Sequence, residues 1–264
     1  MLTALADGLV VTRRNLVKIK RVPNLLIFTL IQPIMFVMLF AYVFGSAITI
    51  PGVNYREFLM AGIFTQTVAF GSALTGVGLA DDLQKGIVDR FRSLPMARSA
   101  VLVGRTTSDL LNNVLVLAVM SACGLIVGWR IREGALRAVA AYALLLLFCY
   151  ALSWVSAVIG LSVRSVEVAQ SAGFIWLFPV TFVSNAFVRS EGMPPVLRAI
   201  ADWNPVSAVA GACRELFGNT SPVLSASSSW PARHAILLAV AYPVGLLVVF
   251  VPLAVSRYRR AALR

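Results

Sequence analysis

Six apolar runs, each close to the ~20 residues a helix needs to cross a bilayer, set the frame for what this chain can fold into. They cover residues 25–45, 58–80, 106–128, 138–161, 168–188 and 235–256. A soluble domain could not hide this much apolar surface, because 59% of the 264 residues are hydrophobic, 13% are charged and the mean hydropathy is +0.85. The sequence predicts an all-α integral membrane protein with six transmembrane helices in a single domain spanning 1–264. Pro33, Pro179, Pro243 and Pro252 fall inside the runs, where kinks are expected and neighbouring helices can satisfy the freed backbone groups.

The net charge of +12 does not point to nucleic acid, which would call for basic residues clustered on a soluble reader fold. Here the basic residues stand between apolar runs, where they meet anionic headgroups and set orientation. If the six runs alternate across the membrane, fifteen of the 23 Lys and Arg fall on the side of the two termini. Eight fall on the other: Arg56, Arg130, Arg132, Arg137, Arg189, Arg198, Arg214 and Arg233. The positive side faces the cytoplasm, so both termini are expected inside. Residues 1–22 read as an interfacial amphipathic helix, with Leu5, Leu9, Leu16 and Ile19 on one face and Arg13, Arg14, Lys18, Lys20 and Arg21 around the rest. The dispersed apolar positions do not make a signal peptide.

Two connections carry structure of their own. Between Asp81 and Arg105, Leu83, Ile87, Phe91 and Leu94 recur at helical spacing, with Asp82, Lys85, Asp89 and Arg92 directed elsewhere and Pro95 closing the pattern. Periodicity alone leaves two uses for this short helix: lying on the membrane, or presenting mixed charge to a protein partner. Between Arg189 and Arg233, Met193-Pro194-Pro195 and Asn204-Pro205 punctuate apolar stretches that end near Phe217. Two short helices fit, too short to span and too apolar for water, so they are expected in the outer interface or dipping back into protein. Trp203 and Trp230 suit an aromatic belt. Asn219-Thr220-Ser221 matches a glycosylation acceptor, a weak three-residue signal.

Within the runs the one carboxylate is Asp109, placed to pair with Arg105 one turn earlier; with Asn112 and Asn113 it could instead line a cytoplasmic vestibule. No phosphate-binding glycine loop, no metal-ligand cluster and no Ser/His/Asp arrangement is present, and Cys123, Cys149 and Cys213 read as small apolar fillers. The chain is therefore expected not to be an enzyme. It reads as a passive channel, a polytopic scaffold, or the membrane half of a machine whose motor is another polypeptide. The aromatics and amides inside the runs, Phe36, Phe40, Phe64, Phe70, Phe174, Trp176, Phe178, Gln32, Gln66, Gln170 and Asn185, singly suit lipid contact or helix packing. Together they suit a greasy cargo, and no charged ring or carbonyl filter of an ion pore is evident.

Several segments in fixed order resemble one family. They are the basic N-terminal segment before Gln32-Pro33, the loop from Lys85-Gly86-Ile87-Val88-Asp89-Arg90-Phe91-Arg92 to Ser93-Leu94-Pro95, the segment from Phe178-Pro179 to Val188, and Met193-Pro194 through Asn204-Pro205 to Arg214. The chain resembles, nearly end to end, the permease subunits of type-2 ABC exporters of the daunorubicin-resistance or multidrug type. The resemblance implies a cytoplasmic coupling helix between spans two and three that docks into a separate ATP-binding subunit through Asp82, Lys85, Gly86, Asp89, Arg90, Arg92, Leu94 and Pro95. It implies short re-entrant helices between spans five and six that close an exit at Pro194, Trp203, Asn204 and Pro205. From the aromatic and amide inventory, a cargo pathway is expected past Phe36, Phe40, Gln66, Phe70, Phe174, Phe178 and Asn185. The resemblance further implies ATP and Mg in the partner subunit and no cofactor on this chain, two copies of that ATPase, a second permease copy or a sister permease, and a bacterial plasma membrane.

Overall fold

In the computed structural model of this chain, residues 23–44, 50, 52–86, 100–163, 165–221 and 229–261 are described. The interfacial segment 1–22 lies outside them, as does 87–99, the greater part of the expected coupling helix. Every extended element among the described residues is a helix. α1 (Pro23–Met38) runs on into a π-helical turn, Leu39–Phe44. It is followed by α2 (Tyr55–Gln84), α3 (Ala100–Val127), α4 (Ala135–Gly160) and α5 (Val166–Phe182). Two short helices, α6 (Pro195–Asp202) and α7 (Pro205–Phe217), lead through a single turn, α8 (Trp230–Arg233), to α9 (Ala235–Ala261).

Four of these helices are long and apolar enough to cross a membrane: α2, α3 over Leu102–Val127, α4, and α9 over Ala235–Tyr258. Two shorter apolar stretches, Ile31–Val43 and Val166–Phe182, stand where the first and fifth runs were expected. The fifth run was placed at 168–188, but its helix stops at Phe182. From Val183 to Val188 the chain turns, and its backbone groups bond to α7 instead of to a further helical turn. The second and third runs, in contrast, are longer than expected. α2 starts at Tyr55, capped by the Asn54 side chain accepting from the Arg56 amide at 3.0 Å, and reaches Gln84. There Gly86, at φ +63°, takes the left-handed conformation that closes a helix C-terminus. Asp81 and Asp82 thus belong to α2, and Arg105 to α3.

α2 is the axis of the bundle and is buried along most of its length. Its small residues allow this. A Cβ at Gly76 would sit 2.3 Å from the Ser156 carbonyl oxygen, and one at Gly160 would sit 2.2 Å from the Gly76 carbonyl oxygen, so α2 and α4 cross backbone to backbone. Helix α7 is sunk among α2, α4 and α9, with Val206, Val209, Ala210, Ala212 and Phe217 fully buried. Of the two places open to it, α7 has taken the protein interior. α6 stays at the surface, exposing Val196, Leu197 and Ile200.

The two ends of the bundle are packed differently. At one end, which we call the Trp129 end, Phe64, Trp129, Tyr142 and Phe217 interlock edge to face, with Trp129 and Phe217 centroids 5.1 Å apart at 90°. Asn219 holds the same corner: its Oδ1 accepts from the Trp129 indole at 2.8 Å and its Nδ2 donates to the Arg130 carbonyl at 3.0 Å. Both ends of that amide are used and the residue is 1% exposed, so the acceptor-site reading of Asn219 does not hold. At the opposite end, the Lys85 end, Leu79, Leu102, Trp154, Ala254 and Tyr258 form a second, smaller core.

Candidate functional site

Four of the expected pathway residues meet halfway along the bundle. Phe36 of α1, Gln66 and Phe70 of α2, and Phe174 of α5 line one cavity of about 260 Å³, together with Asn112 and Asn113 of α3. Helical periodicity puts them there: Gln66, Phe70 and Leu74 recur every four residues and share a face of α2. Gly71 clears the floor, since a Cβ on it would lie 2.4 Å from Asn113 Oδ1. Asn113 is fixed in turn by donating from Nδ2 to the Asp109 carbonyl at 2.8 Å. Asn112 and Asn113 thus line a chamber at mid-length, away from the Lys85 end where a vestibule would open.

The two other pathway phenylalanines continue from the cavity as a chain of ring contacts. Phe70 meets Phe178 at 5.1 Å, Phe178 stacks on Phe182 at 5.8 Å, and Phe182 meets Phe187 at 5.6 Å. Phe187 stacks on Phe40 at 4.7 Å, and Phe40 on Phe36 at 5.8 Å. These contacts reach the Trp129 end, where Tyr55 donates to the Phe187 carbonyl at 3.2 Å. Phe182 and Phe187 escaped the sequence reading. Their four- and five-residue steps from Phe178 and Phe182 were the available signal, hidden because the helix ends between them.

Asn185 is not with the others. Its side-chain oxygen accepts from Arg214 Nη1 at 3.1 Å and its carbonyl from Nη2 at 2.8 Å, beside a polar pocket of about 350 Å³ at the Trp129 end. Arg214 itself, given no role of its own from the sequence, is 4% exposed. Its guanidinium also donates to the carbonyls of Phe58 and Ala186, both at 2.9 Å, so three elements converge on one cation. A cation entering at Arg214, after the long run of small and apolar residues from Val206 to Cys213, was the clue. Nearby, Arg132 closes a bidentate pair on the buried Glu57, with Nη2–Oε1 at 2.7 Å and Nε–Oε2 at 3.0 Å. That hydrogen bonding holds the Arg132 pKa above its ordinary value.

The expected gate residues form the joint between α6 and α7. Pro194 precedes α6 and its carbonyl accepts from the Arg198 amide at 2.8 Å. Asn204 caps α7, its Oδ1 accepting from the Val206 amide at 2.8 Å, while Nδ2 donates at 2.7 Å to the carbonyls of Val180 and Val183. The last carbonyls of α5 are thereby satisfied by the hinge of the short-helix pair. Pro205 follows at the first helical position, where its missing N–H costs nothing. Trp203 stacks on Trp230 at 5.8 Å, and its carbonyl accepts from the Tyr242 hydroxyl at 2.8 Å. Trp203, Asn204 and Pro205 also border an apolar cavity of about 480 Å³ against α4 and α9.

At the Lys85 end, Arg105 reaches Asp109 Oδ2 at 3.3 Å, the pairing the sequence predicted, and Asp82 Oδ2 at 3.8 Å; Thr75 donates to the same Asp109 oxygen at 2.7 Å. This network ties the end of α2 to the start of α3, the two helices that flank residues 87–99. Gly78 makes room for it, since a Cβ there would overlap the guanidinium. Lys85 pairs with Asp81 at 2.7 Å on the exposed side, and Gly86 has open space around its Cα. Asp89, Arg90, Arg92, Leu94 and Pro95 lie outside the described residues.

Residues 8–217 match the sequence profile described as ABC-2 type transporter. The chain is also 34% identical over 257 residues to the daunorubicin resistance ABC transporter permease protein DrrB1 of Streptomyces coeruleorubidus, an alignment covering 97% of this chain and 87% of that protein.

Proposed function

This chain belongs to the ABC-2 type transporter family, and from that premise we propose that it is the membrane-spanning permease of an exporter whose ATP hydrolysis takes place on a separate subunit. The cargo is a hydrophobic or amphipathic drug, antibiotic or lipid-like molecule. The observation that carries this reading is the mid-length cavity, where phenylalanines from α1, α2 and α5 surround a group of amides and the ring contacts lead on toward the Trp129 end. A greasy molecule with polar edges finds there both apolar walls and hydrogen-bonding groups, the combination that defines small-molecule sites.

In this reading α1 and α5 complete six crossings, both termini face the cytoplasm of a bacterial cell, and the Trp129 end faces outward. The segment from Lys85 to Pro95 docks on the ATPase, which holds ATP and Mg, and two permeases work with two ATPases. Closure of the motor would push on residues 87–99, and the Arg105 network would pass that push to α2 and α3 together, because the flanking helices are tied by partly buried charges. Asn204 and Trp203 would then hinge α6 and α7 at the exit.

The test is ATP-dependent cargo uptake into inverted vesicles carrying this chain and its ATPase. Reversing Arg90 and Arg92 together to Glu should abolish uptake and co-purification while the permease remains folded. Normal transport by that double variant would overturn the coupling assignment, and ATP-independent flux through the chain alone would overturn the exporter reading.

A further inference from the structure

Among the described residues, the mid-length cavity is lined by polar side chains that have no hydrogen-bond partner, one of them a fully buried acceptor atom. Gln66 is 5% exposed and Thr67 9%, both line the cavity, and neither side chain is hydrogen-bonded to another among the described residues. Asn112 lines it too, and its Oδ1 is a buried acceptor with nothing to accept from. Asn113, beside it, is already committed through Nδ2 to the Asp109 carbonyl. Buried polar groups are almost always satisfied, so the orphaned Asn112 Oδ1, with the uncommitted Gln66 and Thr67 side chains lining the same chamber, marks where a ligand's own groups belong.

Among the described residues, none of the side chains lining this chamber carries a charge. The nearest carboxylate along α3 is Asp109, one turn toward the Lys85 end, and its Oδ2 is already occupied by Thr75 and Arg105. A cation entering the chamber would lose its hydration and gain no counter-ion, and an anion would fare no better; both are strongly disfavoured within a membrane-embedded bundle. Phe36, Phe70 and Phe174 supply flat apolar walls suited to an aromatic ring system.

Building on the exporter reading, we infer that this chamber selects an uncharged aromatic ring system carrying a hydroxyl or N–H donor at its edge, with Asn112 Oδ1 receiving that donor and Gln66 and Thr67 completing the polar edge. These are specificity-determining residues: they decide which cargo is held, without taking part in driving it. A ligand with no donor leaves Asn112 Oδ1 orphaned, and one with a charged group meets no partner.

The experiment uses the full chain in lipid nanodiscs, with tritiated tricyclic probes, equilibrium binding read by scintillation proximity and empty nanodiscs subtracted. 9-Phenanthrol is neutral and has one donor, 9-methoxyphenanthrene has none, and 9-(aminomethyl)phenanthrene is a cation. The wild type should bind 9-phenanthrol about fivefold or more tightly than the methoxy compound, the worth of one hydrogen bond, and about tenfold or more tightly than the ammonium compound. Asn112→Leu should bring 9-phenanthrol down to the methoxy level while leaving the methoxy affinity unchanged. Gln66→Leu should act in the same direction, and Gln170→Leu, on an exposed position of α5, should not. The comparison of three probes on the wild type stands even if a variant fails to fold. Equal binding of the three, a loss in Asn112→Leu shared equally by the hydroxyl and methoxy probes, or no binding of 9-phenanthrol would each overturn the inference. Because neither ATP nor an ATPase is present, these outcomes are separate from vesicle uptake, on which the exporter reading depends.

Discussion

The guanidinium of Arg214 lies over the ring of Phe58, 3.6 Å from its centroid, and donates to the carbonyl of the same residue at 2.9 Å. One side chain of α7 thus reads both the ring and the backbone of the first turn of α2. Through Asn185 and Ala186 it also fixes the stretch where α5 has ended. Arginine suits the position because its planar fork can serve several carbonyls at once while its face rests on an aromatic ring.

Replacing Arg214 by Leu should destabilise the protein by on the order of 3 kcal/mol, because three buried carbonyls lose their donor. Arg214→Lys should recover only part of this, since an ammonium cannot span all three. Thermal unfolding of the purified variants in detergent reads the order: wild type, then Lys, then Leu. Equal stability of the Lys and Leu variants would show that charge, not the fork, is what matters.

The Arg105 network gives a second, sharper expectation. Arg105→Met leaves Asp109 and Asp82 near one another without this counter-charge and should cost toward the lower end of the about 3–5 kcal/mol for breaking a buried pair from one side, because Arg105 and Asp109 are only partly buried. The double variant Arg105→Met, Asp109→Leu removes both charges of the closer pair and should be distinctly more stable than the single. A double-mutant cycle on unfolding midpoints measures this, and additive effects would rule out a coupled pair.

At Gly160 a methyl group would meet the backbone of Gly76, which cannot swing aside as a side chain could. Gly160→Ala should therefore lower stability by at least about 2 kcal/mol. Gly134→Ala, with nothing within 4 Å of the added carbon, should be neutral. Both can be scored by the fraction of protein remaining monodisperse after heating.

Acid should loosen the turn at Ser190–Gly192. Partial burial pushes the Glu191 carboxyl up, but the two Arg189 hydrogen bonds, at 2.9 and 3.0 Å, a backbone hydrogen bond and the charges of Arg189 and Arg198 together outweigh it and hold its pKa below the ordinary carboxylate value. A depressed carboxylate lends stability that is present above its unfolded pKa and is lost as pH falls through the folded one. Arg189→Gln should remove that part of the acid dependence, seen as a smaller drop in melting temperature between neutral pH and about pH 3.

What the sequence could reveal followed from local physics. Run length and apolarity located the long helices, and Asn204-Pro205 marked the break between α6 and α7, because these signals act within a few residues. The four-residue steps of Gln66, Phe70 and Leu74, which put them on one face of α2, are a local signal of the same kind that the sequence reading passed over. The Arg105–Asp109 pair followed from helical spacing.

The end of α5 at Phe182 was not legible, because apolar residues continue to Val188 and only contacts from distant Asn204 and Arg214 claim the backbone there. Nor could spacing show that Asn112 faces Gln66 across a chamber, or that Asn185 belongs with Arg214 at the other end of the bundle. Helical periodicity fixes which face a residue occupies, and so the sequence by itself determined where the long apolar helices lie and which residues share a face of each. Which stripes meet depends on how helices far apart in the chain cross, and here the backbone contact of Gly76 with Gly160 and the burial of α7 decided it.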